Sequence, residues 1–218
     1  IDHPPCAGGG FYEIEIVAVL VEHPVVAAFD FDGTLTYGES FFRFLAFVTP
    51  LPKFVWFFVV CLPTLLRYVV GLQDNESAKI RVLSVFLRGR RVNEIEALAE
   101  RFAREKIPTT LRPQAIAKLH GHLKQGHSCA LVSATLAIYL RPWARDAGFD
   151  VVLATELAVD AHGCYTGSLA TPNCYGPEKE RRLLAHYNQP RVIAAYGDSA
   201  GDTEMLALAE QAHFKPWR

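Results

Sequence analysis

Residues 25 to 36 of this 218-residue chain read VVAAFDFDGTLT, from Val25 to Thr36. The first five residues are all apolar, which is typical of a parallel β-strand buried on both faces. Asp30 and Asp32 follow at positions i and i+2, so an extended backbone places both carboxylates on one side. Two acids that face one cavity repel each other unless a cation or a shared proton compensates. This stretch therefore predicts a buried strand that ends at a charged site.

The same strand pattern recurs three times toward the carboxyl terminus. The further apolar runs are Ser128–Val132 ending at Ser133, Val151–Ala154 ending near Thr155, and Val192–Tyr196 ending at Gly197 and Asp198. Helical segments alternate with them over residues 114–125, 136–147, 178–187 and 202–209. This alternation predicts an α/β fold with a doubly wound, Rossmann-like parallel sheet and a ligand site at the carboxyl ends of its strands. The turn sequence of residues 160–163, within 156–169, adds a small β-hairpin.

Residues 40–108 have a different pattern, because long helical stretches occur there without strand-like alternation. We predict helices over residues 40–48, 53–71, 76–88 and 92–106, which together form an inserted helical cap. The predicted domains are an N-terminal extension (1–24), a core (25–38 and 109–218) and the helical cap (39–108). Within the extension, alternation over Phe11–Val21 predicts an accessory strand.

Charge and cysteine content limit the partners and the compartment. The 22 Lys and Arg residues nearly balance the 23 Asp and Glu residues, giving a formal net charge of -1. Nucleic-acid partners are not expected, because such binders carry a basic face. The five cysteines form no CxxC pair and are typical of buried thiols in a reducing compartment, so we expect a cytoplasmic protein.

Two further acids, Asp198 and Asp202, follow the last predicted strand. If that strand neighbours the first one, up to four carboxylates converge, and oxygen ligands of this kind suit Mg²⁺. Taken alone, DxDGT also fits an ordinary turn. That interpretation leaves two residues unexplained: Ser133 at a strand end, where an anion can bind, and Lys179 in the first turn of a helix, where the macrodipole disfavours a cation.

Four segments in this order resemble the haloacid dehalogenase superfamily of phosphohydrolases. They are DFDGTLT (30–36), LVSAT (131–135), GPEK (176–179) and GDSAGDTEML (197–206). The hairpin with GCYTG (163–167) and the cap after the first motif are similar to the phosphoserine-phosphatase-like branch, subfamily IB. The resemblance therefore implies a Mg²⁺-dependent phosphatase that hydrolyses a small-molecule phosphomonoester.

The resemblance also implies a role for each matched residue. Asp30 would be the nucleophile that forms an aspartyl-phosphate, and Asp32 the general acid and base. Mg²⁺ would be held by Asp30, the backbone carbonyl of Asp32, and Asp198, with Asp202 in support. Ser133 and Lys179 would bind the phosphoryl group.

Outside the core, Glu39 and Arg81 match positions where the phosphoserine phosphatase branch binds its substrate. An acid for an amine and a guanidinium for a carboxylate would suit an amino-acid phosphate. A helix-surface arginine is the alternative interpretation of Arg81.

The segment Ser40–Gln73 favours a different substrate, because it holds nine aromatic residues, three bases and no acid. Its longest charge-free run, Phe54–Leu66, is shorter than the roughly 20 residues needed to span a bilayer. Three interpretations stay open: peripheral contact with the inner face of a membrane through residues 40–73, a homodimer contact, or a cap core packed on itself. A lipid-phosphate phosphatase of the phosphatidylglycerophosphate type is therefore an alternative function, and a non-catalytic membrane-bound binding protein is another.

Overall fold

The computed structural model of the chain describes residues 24–217. The strands in this range are β1 (Val25–Phe29), β2 (Ser128–Leu136), β3 (Val151–Thr155), β4 (Leu157–Val159), β5 (Tyr165–Leu169), β6 (Arg191–Gly197) and β7 (Gln211–Phe214). Five of them form one parallel sheet in the order β3-β2-β1-β6-β7, and β4 pairs with β5 as an antiparallel hairpin. The predicted α/β fold with a parallel sheet and a small hairpin is confirmed.

The helices alternate with the strands of the core and also fill the predicted insertion. They are α1 (Phe41–Val48), α2 (Leu51–Val69), α3 (Asn75–Phe86), α4 (Val92–Glu105), α5 (Pro113–Lys124), α6 (Ala137–Ala147), α7 (Pro177–Tyr187) and α8 (Thr203–Ala207), with short 3₁₀ turns at Ile107–Thr110 and Ala200–Asp202. Helices α1 to α4 lie close to the four stretches predicted for residues 40–108. The domain boundaries themselves stay a prediction.

Strand β1 is the centre of the sheet, and its side chains alternate between two apolar clusters. Ala27 and Phe29 belong to one cluster, whereas Val26 and Ala28 belong to the other. All four side chains are inaccessible to solvent, as expected for a parallel strand covered on both faces. The uninterrupted apolar run therefore reflects a sheet with helices packed on each side.

The inserted helices share the larger of these clusters with the core. The ring of Phe102 in α4 lies 5.2 Å from that of Tyr139 in α6, and the ring of Phe44 in α1 lies 5.4 Å from Phe102. The hairpin packs on α3 at Gly167, where an added Cβ would come 2.5 Å from the Cα of Ser84 and φ is +83°. Only glycine satisfies both conditions, and so the hairpin can lie directly on α3.

The structure differs from the sequence-based expectations at three elements. Strand β2 runs on to Leu136, so Ser133 lies within it rather than just after it. Strand β7 was not expected, and the helix predicted over residues 202–209 is the shorter α8, preceded by a 3₁₀ turn. The accessory strand predicted at Phe11–Val21 lies outside the described residues.

Helix α2 differs from the other helices in its environment. Of its side chains only Cys61 is buried. By length and composition α2 could cross a membrane, since it has 19 residues and its apolar stretch has a mean hydropathy of 1.4. Only 6% of that stretch is buried in the protein.

Candidate active site

The candidate site lies at the carboxyl ends of the central strands. Asp30 follows β1, Ser133 lies in the last part of β2, and Asp198 follows β6. Because β2 and β6 flank β1 in the sheet, these residues meet at one edge. A cavity of about 460 Å³ opens there and is lined by all three, together with Asp32 and Lys179.

Lys179 bridges two aspartates at the floor of this cavity. Its Nζ donates to Oδ1 of Asp30 at 2.6 Å and to Oδ1 of Asp202 at 2.5 Å. All three side chains are almost completely buried. Burial alone would lower the pKa of the Lys179 ammonium, but the two carboxylates outweigh it and raise that pKa above its usual value. The lysine in the first turn of α7 is therefore a charged partner of the acids.

The two acids bonded to Lys179 respond differently to burial. Burial raises the pKa of Asp30 to about 7 against the opposing charge of Lys179, and the charge of Asp202 raises it further. Burial also acts to raise the pKa of Asp202, but Lys179 and backbone amides outweigh it, so that pKa lies below its usual value. Asp202 is therefore the better stabilised anion of the pair.

Asp202 also holds the loop that follows β6. Its Oδ2 accepts hydrogen bonds from the backbone amides of Asp198 and Ser199, at 3.0 and 2.9 Å, and from the Ser199 hydroxyl at 3.0 Å. Both of its carboxylate oxygens are thus engaged. This arrangement presents Asp198 at the cavity and makes Asp202 a buried support.

The acids of this loop and Asp30 form a group that could hold a metal ion. Ligand oxygens of Asp30, Asp198 and Asp202 lie within 4.8 Å of one another. An all-oxygen donor set of this kind fits a small hard cation such as Mg²⁺, which is usually held by one or two carboxylates plus substrate phosphates and waters. The side chain of Asp32 is not part of this group.

Asp32 instead points to the start of the first inserted helix. Its carboxylate accepts hydrogen bonds from the backbone amide of Ser40 at 2.8 Å and from the Ser40 hydroxyl at 3.0 Å. Burial raises the pKa of Asp32 to about 8, and the nearby charge of Glu39 raises it while Ser40 opposes the rise. A carboxylic acid with such a pKa can carry a proton at neutral pH.

A buried hydroxyl network continues from Ser40 and was missed by the sequence analysis. The Ser40 hydroxyl lies 2.9 Å from the hydroxyl of Tyr139, which in turn lies 2.5 Å from that of Thr135. These residues are far apart in sequence. No local signal pairs Ser40 with Tyr139, so only the fold could reveal the network.

Ser133 is buried at the wall of the cavity. Its Oγ accepts a hydrogen bond from the backbone amide of Thr135 at 3.2 Å. The hydroxyl group is therefore held at the cavity by this amide, and its role in binding an anion stays a prediction.

The two predicted substrate residues have different positions. Glu39 lines the cavity, but Arg81 is exposed and is not among the lining residues. The face of α3 that lines the cavity comprises Asn75, Ala78, Lys79 and Val82, which follow helical spacing. Arg81 lies off this face, and Lys79 is the base that α3 brings to the cavity.

Lys79 is held firmly at the cavity wall. Its Nζ donates to the backbone carbonyl of Ala134 and to Oδ1 of Asn173, both at 2.6 Å. Burial lowers the pKa of the Lys79 ammonium to about 8, against the opposing charge of Asp32. An ammonium has three N–H donors, and these two hydrogen bonds use two of them.

Comparison with known proteins identifies the family of the chain. The chain matches the family model of the haloacid dehalogenase-like hydrolases over residues 27–207. It is 36% identical over 198 residues to protein CicA of Caulobacter vibrioides, covering 89% of this chain and 87% of that protein. A protein of unknown function from Bordetella pertussis Tohama I has a similar structure, with 27% identity, a TM-score of 0.73, and coverage of 85% of this chain and 86% of that one.

The fold is also found in a substrate-bound phosphoserine phosphatase, at 20% identity and a TM-score of 0.58, covering 85% of this chain and 83% of that one. The family match spans all four motifs, from the strand that leads to Asp30 through to the loop that carries Asp198 and Asp202. The chain belongs to the haloacid dehalogenase-like hydrolase family, and its fold is that of phosphoserine phosphatase.

Proposed function

We propose that the protein is a Mg²⁺-dependent phosphomonoester phosphatase that works through an aspartyl-phosphate on Asp30. The observation that carries this proposal is the meeting of Asp30, Asp198 and Asp202 within 4.8 Å beside the buried ammonium of Lys179. A nucleophilic carboxylate next to positive charge is what attack on an anionic phosphate requires.

In the first half-reaction, an oxygen of Asp30 attacks phosphorus and the bond from phosphorus to the leaving oxygen breaks. Asp32, protonated because its pKa is raised to about 8, donates its proton to that leaving oxygen. Lys179 and the Ser133 hydroxyl bind the phosphoryl oxygens, so the charge of the transferring group is stabilised by fixed donors.

In the second half-reaction, Asp32 acts as a base. It takes a proton from water, whose oxygen attacks phosphorus, and the bond to Asp30 breaks to give phosphate and the free carboxylate. Mg²⁺ would be held by Asp30, Asp198, the supporting Asp202 and the Asp32 backbone carbonyl, and when bound it would neutralise phosphate charge near the nucleophile.

The first candidate for substrate is an amino-acid phosphate of the phosphoserine type. Glu39 lies at the cavity wall and suits an amine, while Lys79 offers a cation for a carboxylate in place of Arg81. Lipid phosphates are the second candidate, because α1, α2 and α3 give the same cavity an apolar side formed by Phe41, Phe42, Leu65 and Val82.

Hydrolysis of an aryl phosphate, with Mg²⁺ or with a chelator, tests the chemistry. We expect turnover that needs Mg²⁺, loss of turnover in Asp30→Asn, and unchanged turnover in the control Asp146→Asn, an exposed aspartate on α6. Equal activity in Asp30→Asn and the parent, or no activity in the parent, would refute the proposal. A parallel assay of phosphoserine and a vesicle-borne lipid phosphate distinguishes the two substrate classes.

A further inference from the structure

Helix α2 presents an apolar face that the rest of the described chain does not cover. We define this outer face by Leu51, Val55, Trp56, Val59 and Leu66, whose exposed fractions lie between 52 and 73%. Exposed apolar residues continue at the last residue of the helix, Val69, and just beyond it at Val70 and Leu72. A contiguous apolar surface of this kind marks a site of interaction, since single exposed apolar residues are ordinary but clusters are not.

The opposite side of α2 already packs on the protein. The rings of Phe54 and Phe57 lie 5.5 and 5.3 Å from that of Phe86 in α3, and Cys61 is fully buried. Leu65 and Tyr68 form part of the wall of the active-site cavity. A surface helix normally has one apolar side and one polar side, so the outer face of α2 needs a further apolar partner.

Charge indicates the nature of that partner. The segment Ser40–Gln73 has no acid, and its bases include Lys53 and Arg67 on α2. Both bases are exposed and lie about four helical turns apart, so they project along one edge of the helix. A second copy of this chain would place base against base, whereas an anionic lipid surface would pair with both.

We propose that the outer face of α2 docks the protein on an anionic lipid bilayer, with the helix lying in the interfacial region. Trp56 supplies an aromatic ring of the kind enriched at that depth, and Lys53 and Arg67 reach the headgroups. Although α2 is long enough to cross a bilayer, crossing would separate Phe54 and Phe57 from Phe86. The interfacial position keeps these contacts.

Docking in this manner brings the helix that forms one wall of the active-site cavity to the membrane, with the cavity on its inner side. Leu65 and Tyr68 belong both to α2 and to the cavity wall. The docking surface itself depends only on α2 and not on the chemistry at Asp30, so docking and hydrolysis can succeed or fail separately.

The test is sedimentation of the full chain with phosphatidylcholine vesicles made with and without phosphatidylglycerol. We expect binding that is stronger with phosphatidylglycerol. Trp56→Glu is expected to weaken binding about tenfold, because it removes a large apolar side chain that docking would bury in the bilayer. The double variant Lys53→Gln and Arg67→Gln is expected to weaken vesicle binding about fivefold for each base removed. This loss is expected only for vesicles that contain phosphatidylglycerol.

The controls are Val159→Glu, an exposed apolar position on the hairpin, and Lys124→Gln, an exposed base on α5. Neither should change binding. Aryl phosphate hydrolysis and circular dichroism report whether each variant is folded, and the charge variants keep the test valid if Trp56→Glu unfolds. The proposal is overturned if the parent stays in the supernatant, if the α2 variants bind like the controls, or if Trp56→Glu instead dissociates a dimer.

Discussion

Replacing Lys179 with methionine removes the cation shared by two buried carboxylates. Lys179 is 2% exposed and lies 2.6 Å from Asp30 and 2.5 Å from Asp202. Breaking a buried ion pair from one side costs about 3–5 kcal/mol, because an uncompensated charge stays behind. For a chain of this size, each 1 kcal/mol shifts Tm by about 2–4 °C. We therefore expect Tm at neutral pH to fall by roughly 6–20 °C.

The pH dependence of this loss follows from the titration of the acids. Once Asp30 and Asp202 are protonated they carry no charge for Lys179 to compensate. The difference in Tm between Lys179→Met and the parent should therefore narrow as pH falls. Mg²⁺ is expected to raise the Tm of the variant, because a second cation can replace part of the lost charge. Phosphatase activity should be lost, since the ammonium proposed to bind the phosphoryl group is missing.

Thermal unfolding followed by circular dichroism, with Mg²⁺ and with a chelator, measures these effects. The matched control is Lys124→Met, which removes an exposed lysine from α5 and should change Tm little. If Lys179→Met and the control had the same Tm at neutral pH, the bridge between the two acids would carry no net stabilisation and the reasoning would be wrong.

Three further variants test the site. The basic limb of the pH profile of kcat/KM, which we assign to Asp32, should move to lower pH in Glu39→Gln because a like charge is removed. In Ser40→Ala the same limb should move to higher pH because a hydrogen bond to the Asp32 carboxylate is lost. If the limb moved in the same direction in both variants, the assignment to Asp32 would be wrong. Gly201→Ala would place a Cβ less than 3.0 Å from a tyrosine ring, so urea unfolding should show a loss of about 1–3 kcal/mol. The control Gly121→Ala, with open space around it, should be neutral or stabilising.

Local patterns were sufficient for the core of the fold and for the meeting of Asp30, Ser133 and Asp198 at one cavity. The strand that leads to Asp30 is a buried apolar run, and the same holds for the strands near Ser133 and Asp198, so their ends could be predicted to meet. Strand β7 could not be predicted in this way, because Gln211–Phe214 is short, mostly exposed and has no apolar run. Its place depends on hydrogen bonds to β6, a tertiary contact.

The substrate side of the cavity was harder to predict, because it depends on how α3 is rotated about its axis. Arg81 and Lys79 are two residues apart, so they lie on different sides of the helix. The packing of α3 against the hairpin at Gly167, and of its Phe86 ring against Phe54 of α2, sets this rotation, and neither contact is visible as a local pattern. Lys79 therefore enters the cavity, whereas the residue that matched the family pattern does not.

The start of the inserted helices and Asp32, the proposed proton donor, share one hydrogen-bond network. Ser40 precedes α1 and donates both its amide and its hydroxyl to Asp32, and the hydroxyl of Tyr139 in α6 joins the same network. Any movement of α1 relative to the core must change these hydrogen bonds, and with them the pKa of Asp32. Because α1 also forms part of the cavity wall, a substrate that displaces it would alter the pKa of Asp32. The position of the inserted helices and the protonation of Asp32 are therefore coupled.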